Sequence, residues 1–191
     1  LLTRDEQCHI RRCIASVSEF AHKVFVVDSG SADTTVAIAR EMGAQVVTRP
    51  WKNYADQFEW AIENCGTGEG WLMRMDADEY VESDLQQELK ELRDADVAPE
   101  VDAYYIRRKV FFYGKWIRHG GFYPHTLLRI WRAGHGKIEQ RWMDEHIVVP
   151  ESAVTSVLGG HIVDDNQKGI TFWIDKHNSY ASREVVDLLN R

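Results

Sequence analysis

What most constrains this chain is an alternation that runs through its first eighty residues. A short apolar, β-rich run ends in acids or hydroxyls, and a stretch with helical spacing follows. Leu1-Leu2 runs into TRDE, and Ile10, Cys13, Ile14, Val17 and Phe20 then fall on one helical stripe. Lys23 to Val27 (KVFVV) ends in DSGSADTT, which opens a second helix to about Met42, with Ser31 or Asp33 as N-cap and Gly43 as its stop. Gln45 to Thr48 forms a third strand closed by Arg49-Pro50. A helix from about Tyr54 to Asn64 then leads through CGTGEG into WLMRMDADEY, residues 71–80. Strands alternating with helices over short connections predict an α/β fold with a mostly parallel central sheet flanked by helices. Such sheets bind ligands beyond the carboxyl ends of their strands. Three of those ends read TRDE, VVDSGS and MDADE, so three acidic tips are expected on one edge.

WLMRMDADEY is the most chemically specific of the three. If the apolar run is a strand emerging at a polar site, Asp76 and Asp78 share a face roughly 7 Å apart along the chain. They can then converge on one hard divalent cation whose coordination a diphosphate completes. A lone D-x-D is common, and its plain alternative is a strand end before a helix capped by Ser83 or Asp84. A calcium loop of the EF-hand type is excluded, because Tyr80 and Val81 stand where that motif needs Asp or Asn and then Gly.

The second half changes character. A helix from Leu85 to Arg93 leads to a basic β-rich segment, Tyr104 to Tyr113, then a turn at Gly114-Lys115 and a strand over His125 to Arg132. A final helix from about Thr171 carries Trp173, Tyr180, Val185 and Leu188 on one side. A small antiparallel β region is therefore expected here. The 191 residues fit one domain, with a nucleotide-binding half over about 1–98 and an acceptor half over about 99–191. A net charge of −7 argues against nucleic acid as a partner. No apolar run approaches the ~20 residues that span a bilayer. The start at Leu1, without methionine, is read as an excerpt of a longer protein. Cys8, Cys13 and Cys65 lack metal-binding spacing and are expected to be buried and reduced, with Cys8 and Cys13 on one helix.

The ordered set LTRDE, VVDSGSADTT, GWLMRMDADEY, YYIRRKVFFYGKWIRHGGFYP, LLRIWR, RWMDEHIVV and FWIDKHNSYASRE resembles the family-2 glycosyltransferases of GT-A fold, in particular the bacterial subgroup that builds lipopolysaccharide and other cell-surface glycans. The resemblance implies an inverting, metal-dependent transferase using Mg2+ or Mn2+. It implies a nucleotide-diphospho-sugar donor, a UDP-sugar foremost, and a glycan or lipid-linked acceptor. It also implies a cytoplasmic site of action, with peripheral association at the inner face of the cytoplasmic membrane. Thr3, Glu6, Asp28 and Asp76 become candidates for the nucleotide. Asp76 and Asp78 become candidates for the metal, Asp78 as the more direct ligand, with His161 as a further one. Asp144 or Glu145 becomes the base for the acceptor hydroxyl, Asp144 being favoured.

Other readings stand beside these. Asp28 to Ser31 also suits a simple strand-to-helix turn, and His146 and His161 also suit structural roles. Gly159-Gly160 permits close backbone approach just before His161. Arg107, Arg108, Lys109, Lys115, Arg118, His119 and Arg129 form a basic region for a diphosphate or phosphorylated acceptor, or else the outward faces of hairpin strands. Many relatives carry Arg-Asn in the helix before the metal strand, where this chain has QFEW (Gln57 to Trp60). A nucleotidyltransferase is disfavoured because TRDEQCHIRR lacks a glycine-rich triphosphate loop. A non-catalytic binding module is disfavoured by the intact acidic pairs.

Overall fold

The computed structural model describes residues 1–65, 68–95, 100–139 and 145–189. The expected alternation is present: β1 (Leu2–Thr3), α1 (Ile10–Val17), β2 (Phe25–Asp28), α2 (Thr35–Glu41), β3 (Gln45–Thr48) and α3 (Tyr54–Cys65). β1, β2 and β3 form a parallel sheet in that order, with Thr3 opposite Asp28 and Asp28 opposite Thr48. The three strands thus end level with one another. Ile10, Ile14, Val26, Ala39 and Ala44 pack between the helices and this sheet.

WLMRMDADEY departs from the expected single strand. β4 (Trp71–Met73) pairs antiparallel with β8 (His125–Arg132), in a second sheet. The chain then crosses over, and Asp76 makes one parallel bridge to Leu2 of β1. A turn follows, and β5 (Glu79–Val81) returns to the second sheet against β11 (Thr155–Asp165). Asp76 and Asp78 therefore do not lie on one face of one strand. Asp76 opens a turn at the junction of the two sheets, and Asp78 lies within it. The physical reason is register: β4 pairs away from the parallel sheet, and only Asp76 reaches β1.

The second sheet has six strands, β4, β8, β6 (Ala103–Phe112), β11 and β5 in order, with β7 (Lys115–Ile117) added to β6. β6 and β11 run parallel and their other pairings are antiparallel, so antiparallel structure is more extensive than the sequence suggests. The β6–β7 connection is the two-residue turn Tyr113-Gly114, with φ of 49° and 71°, as a hairpin following right-twisted strands requires. β9 (Lys137–Ile138) and β10 (Ile147–Val148) form a small separate pair.

α4 (Ser83–Asp94) covers the second sheet through Leu85 and Leu89, which join Cys13, Met75, Val81, Tyr104, Ile106 and Ile162 in one core. Its contact with β11 explains the glycine pair. A Cβ on Gly160 would stand 2.5 Å from the Leu85 backbone, while one on Gly159 would meet only Glu88 at 3.8 Å. The close approach is that of a helix. Both glycine amides donate to the Glu88 carboxylate.

Two further expectations are corrected. Cys8 precedes α1 and is exposed, while Cys13 and Cys65 are buried. α5 (Ile170–Leu189) forms where expected, but Trp173, Val185 and Leu188 stay 39–60% exposed, so its stripe finds no core among the described residues.

Gly160→Ala is expected to destabilise the fold by about 1–3 kcal/mol through overpacking against Leu85. Gly159→Ala should stay within about 0.5 kcal/mol of the parent. Chemical denaturation of the two variants side by side checks this.

Candidate active site

The level ends of β1 and β2 and the turn after Asp76 form one polar edge. Its first tip is built by internal hydrogen bonds. Thr3 Oγ1 donates to Asp28 Oδ1 at 3.0 Å, and the Gly30 and Ser31 amides donate to Asp28 Oδ2 at 2.9 and 2.8 Å. The Ser31 hydroxyl adds a further bond to Oδ1. Asp28 is 1% exposed. Its carboxylate therefore shapes the turn, which Gly30 completes with φ of +88°. Asp5, at φ 55°, is locked across this turn by bonds to Ala32 and Ser31.

Glu6 stands at the mouth of the same tip. Its Oε2 accepts from His9 Nδ1 at 2.6 Å, and its Oε1 pairs with Lys168 at 2.7 Å. His9 is fully buried, and its Nε2 accepts from the Gln167 amide at 2.8 Å. That pattern assigns a neutral imidazole with its proton on Nδ1. Gln57 of the QFEW segment is also buried. It accepts from Arg49 at 2.6 Å and donates to Ser29 at 3.2 Å, tying α3 to the ends of β2 and β3.

Asp76 is held from three sides. Tyr54 donates to Oδ1 at 2.6 Å, Arg129 Nη2 lies 3.4 Å from Oδ2, and Arg74 Nε lies 4.0 Å from Oδ1. Burial alone would raise this carboxyl, but Arg129 and Arg74, with the Tyr54 hydroxyl, hold it well below the usual carboxylate range. Beneath it, Arg129 Nη2 meets Glu79 Oε1 at 2.5 Å, with 4% and 1% of the two side chains exposed. Glu79 Oε2 accepts the Asp76 amide at 3.0 Å, so the pair fixes the backbone that presents Asp76. Burial, then the charge of Asp76, pushes the Glu79 carboxyl up, against the pull of Arg129.

Asp78 sits on the far side of the turn. Its Oδ2 accepts from Asn166 Nδ2 at 2.9 Å and lies 3.7 Å from Lys176 Nζ. Asp164, on the neighbouring strand, is pushed up to about 6 by burial and next by the charge of Asp78. Asp78 and Asp164 thus stand close enough to feel each other's charge, and carboxylate oxygens suit a hard divalent cation. The residues fit such an ion, and Asp78 is the one that could hold it directly, since Asp76 is already engaged by two arginines and a tyrosine.

The expected base pair is seen in part. Asp144 lies outside the described residues. Glu145 presents its carbonyl to Arg74 Nη1 at 2.8 Å, and Arg74 Nη2 donates to Tyr54 at 2.9 Å. The Glu145 backbone is thereby coupled to Asp76.

His161 is not brought to this edge. It lies opposite Glu82, four residues along β11 from Asp165, the partner of Asp78, a separation of roughly 13 Å along the strand. Its Nδ1 points between Glu82 and Asp84 at 3.7 and 3.6 Å, while Tyr123 bonds its Nε2 at 3.0 Å. Glu82 is also paired with Lys109 at 2.5 Å. His146 pairs with Glu139 at 3.2 Å. Much of the basic region is spent internally as well: Arg108 faces Asp164 at 3.6 Å, and Arg118 stacks on Trp116 at 4.4 Å. Tyr54, Asp164, Asn166 and Lys168 lie in none of the motifs quoted above; Arg74 and Lys176 lie in two of them, and only the fold shows which acids they serve.

The model of glycosyl transferase family 2 matches residues 2–150. An uncharacterized glycosyltransferase of Rickettsia felis is 40% identical over 90 residues, covering 47% of this chain and 31% of the relative. The lipopolysaccharide core biosynthesis glycosyltransferase LpsC of Rhizobium meliloti is 26% identical over 192 residues, covering 95% of this chain and 67% of LpsC. Among solved structures, S. aureus TarS 1–349 in complex with UDP-GlcNAc superposes with a TM-score of 0.60 at 16% identity, covering 88% of this chain and 58% of that one. The likeness to TarS is one of fold, here the GT-A architecture. The chain spans about a third of the length of the Rickettsia relative.

Two outcomes follow from the site. Arg129→Met leaves the Glu79 carboxyl buried without its partner and should cost about 3–5 kcal/mol, much of it regained by adding Glu79→Leu. Asp164 has a folded-state value above its unfolded one, so its stabilising contribution is present at low pH and lost as pH rises from about 4 to 6. In chelator, Asp164→Asn should therefore match the parent in thermal melts at pH 4. At pH 7.5 it should exceed the parent by about 1–2 kcal/mol after solvent screening.

Proposed function

This chain belongs to glycosyl transferase family 2, and we propose that it transfers a sugar from a nucleotide-diphospho-sugar, a UDP-sugar foremost, to a hydroxyl of a glycan or lipid-linked acceptor in cell-envelope polysaccharide synthesis. The observation that carries this reading is the junction at Asp76. One parallel bridge to Leu2 gathers Glu6, the Asp28 turn, Asp76 and Asp78 on a single edge. The comparisons with LpsC and with TarS bound to UDP-GlcNAc support the substrate class.

The geometry supports the following roles. Thr3 and Asp28 set the shape of the tip, and Glu6 and Asp76 offer acceptors to the nucleotide's N–H and hydroxyl groups. A divalent cation held at Asp78, with Asp76 beside it, would neutralise the charge developing on the departing diphosphate. A base is needed to take the proton of the acceptor hydroxyl, and the Asp144-Glu145 pair supplies it from the loop that Arg74 couples to Asp76. Attack from the face opposite the leaving group inverts the anomeric centre. The enzyme works at the cytoplasmic face of the membrane. Among the described residues no helix is long and apolar enough to cross one.

Thermal melts with UDP, GDP, dTDP and CMP, each with and without Mn2+, test the donor site. At 100 times Kd the correct nucleotide adds roughly 2.7 kcal/mol, and only with metal. Asp78→Asn should abolish that response. No stabilisation by any nucleotide, or an equal response in the variant, contradicts the reading. Mass-spectrometric assay of transfer by Asp144→Asn and Glu145→Gln assigns the base, and full activity in both removes the pair from the mechanism.

A further inference from the structure

The segment after β11 turns back across the acidic edge. Arg12 grips Asp165 through Oδ2 at 2.5 Å and through its carbonyl at 2.7 Å, and the Gln167 amide bonds His9 at 2.8 Å. These ties place cationic or amide donors of the C-terminal segment on acids already assigned to the donor site. Lys168 sits on Glu6 at 2.7 Å, while Asn166 and Lys176 share Oδ2 of Asp78 at 2.9 and 3.7 Å.

Lys176 differs from the others in how it is held. Its separation from Asp78 is that of an ion pair beyond hydrogen-bond length, and its side chain is 34% exposed. The residues flanking it on α5 are exposed. The charge of Asp78 and then the Tyr180 hydroxyl, four residues along α5, hold the ammonium, with Asp164 behind them. No hydrogen bond ties it to Asp78, so it can leave that carboxylate when the charge of Asp78 is satisfied otherwise. An ammonium and a divalent cation cannot occupy the same side of one carboxylate oxygen. A diphosphate brought to Asp78 by a cation supplies a new anionic partner within reach of a flexible lysine.

Resting on the reading of Asp78 as the cation ligand, we propose that Lys176 is a donor-site residue with two positions: counter-ion of Asp78 in the free protein, and partner of the donor diphosphate once a cation is bound. Its removal should then move two affinities in opposite directions. Without nucleotide, Lys176→Ala relieves competition at Asp78 and should tighten Mn2+ binding about 5- to 10-fold. With saturating Mn2+, the same variant should bind UDP about 10-fold more weakly, having lost a charge-assisted contact. Lys176→Arg keeps the charge and should stay near the parent in both.

Isothermal titration of the full chain with Mn2+ alone, and with UDP in Mn2+, measures both constants. Melting temperatures confirm that the variants are folded. A lysine that merely tethers α5 would lower stability without tightening Mn2+. If Lys176→Ala leaves Mn2+ binding unchanged or weakened, while Asp78→Asn abolishes it, the proposal is overturned and the cation site stands. If Asp78→Asn binds Mn2+ as the parent does, the cation reading itself fails and the role of Lys176 falls with it.

Discussion

The structure depends on one buried ion pair, Arg129 with Glu79. It lies where the chain leaves one sheet and enters another, beneath the turn from Asp76 to Glu79. An isolated buried charge is very costly, so the two groups must face each other, and that requirement fixes β8 against β5 through their side chains. Glu79 spends its second oxygen on the Asp76 amide. Register, turn and carboxylate position are thereby set together. Replacing the pair with apolar residues could preserve stability, but it would release Asp76 from Arg129, which also faces that carboxylate at 3.4 Å.

From this anchor the polar edge acquires a division of labour. Carboxylates that are buried and saturated, Asp28 and Glu79, act as framework. Those at the mouth, Glu6 and Asp78, are neutralised by lysines arriving from the far end of the chain. Arg74 spans from Asp76 to the segment at Glu145, with one nitrogen near the Asp76 carboxylate and another on the carbonyl of Glu145. A single guanidinium touching both segments holds them in fixed relation.

The parallel sheet is legible because its helices and strands differ in hydrophobic period: Gln45 to Thr48 falls where the residue types place it, as does His125 to Arg132 in the second sheet. The path of WLMRMDADEY is not, since an apolar run reports burial and says nothing about which neighbour it pairs with. Asp76 and Asp78 were found for their chemistry, yet their geometry came from a turn and not from strand alternation. The pair Gly159-Gly160 signals a close approach, which the fold makes at Gly160 alone, to the backbone of Leu85. Chemical type groups His161 with the acidic pair, whereas strand register places it with Glu82 and Asp84. Arg129, Tyr54 and Lys176 lie 53, 22 and 98 residues from the acids they serve, at Asp76, Asp76 and Asp78 in turn, and no local pattern could announce those pairings.

The central claim is that the acidic edge at the ends of β1 and β2 receives the donor. Hydrogen–deuterium exchange of the intact chain, with and without UDP and Mn2+, tests it most directly. Slowed exchange should concentrate in peptides covering Thr3 to Gln7, Ser29 to Thr34 and Met75 to Glu79. Protection confined instead to the hollow at the opposite end of the sheet, lined by Ala21, Val24, Met42 and Gln45, would contradict the account.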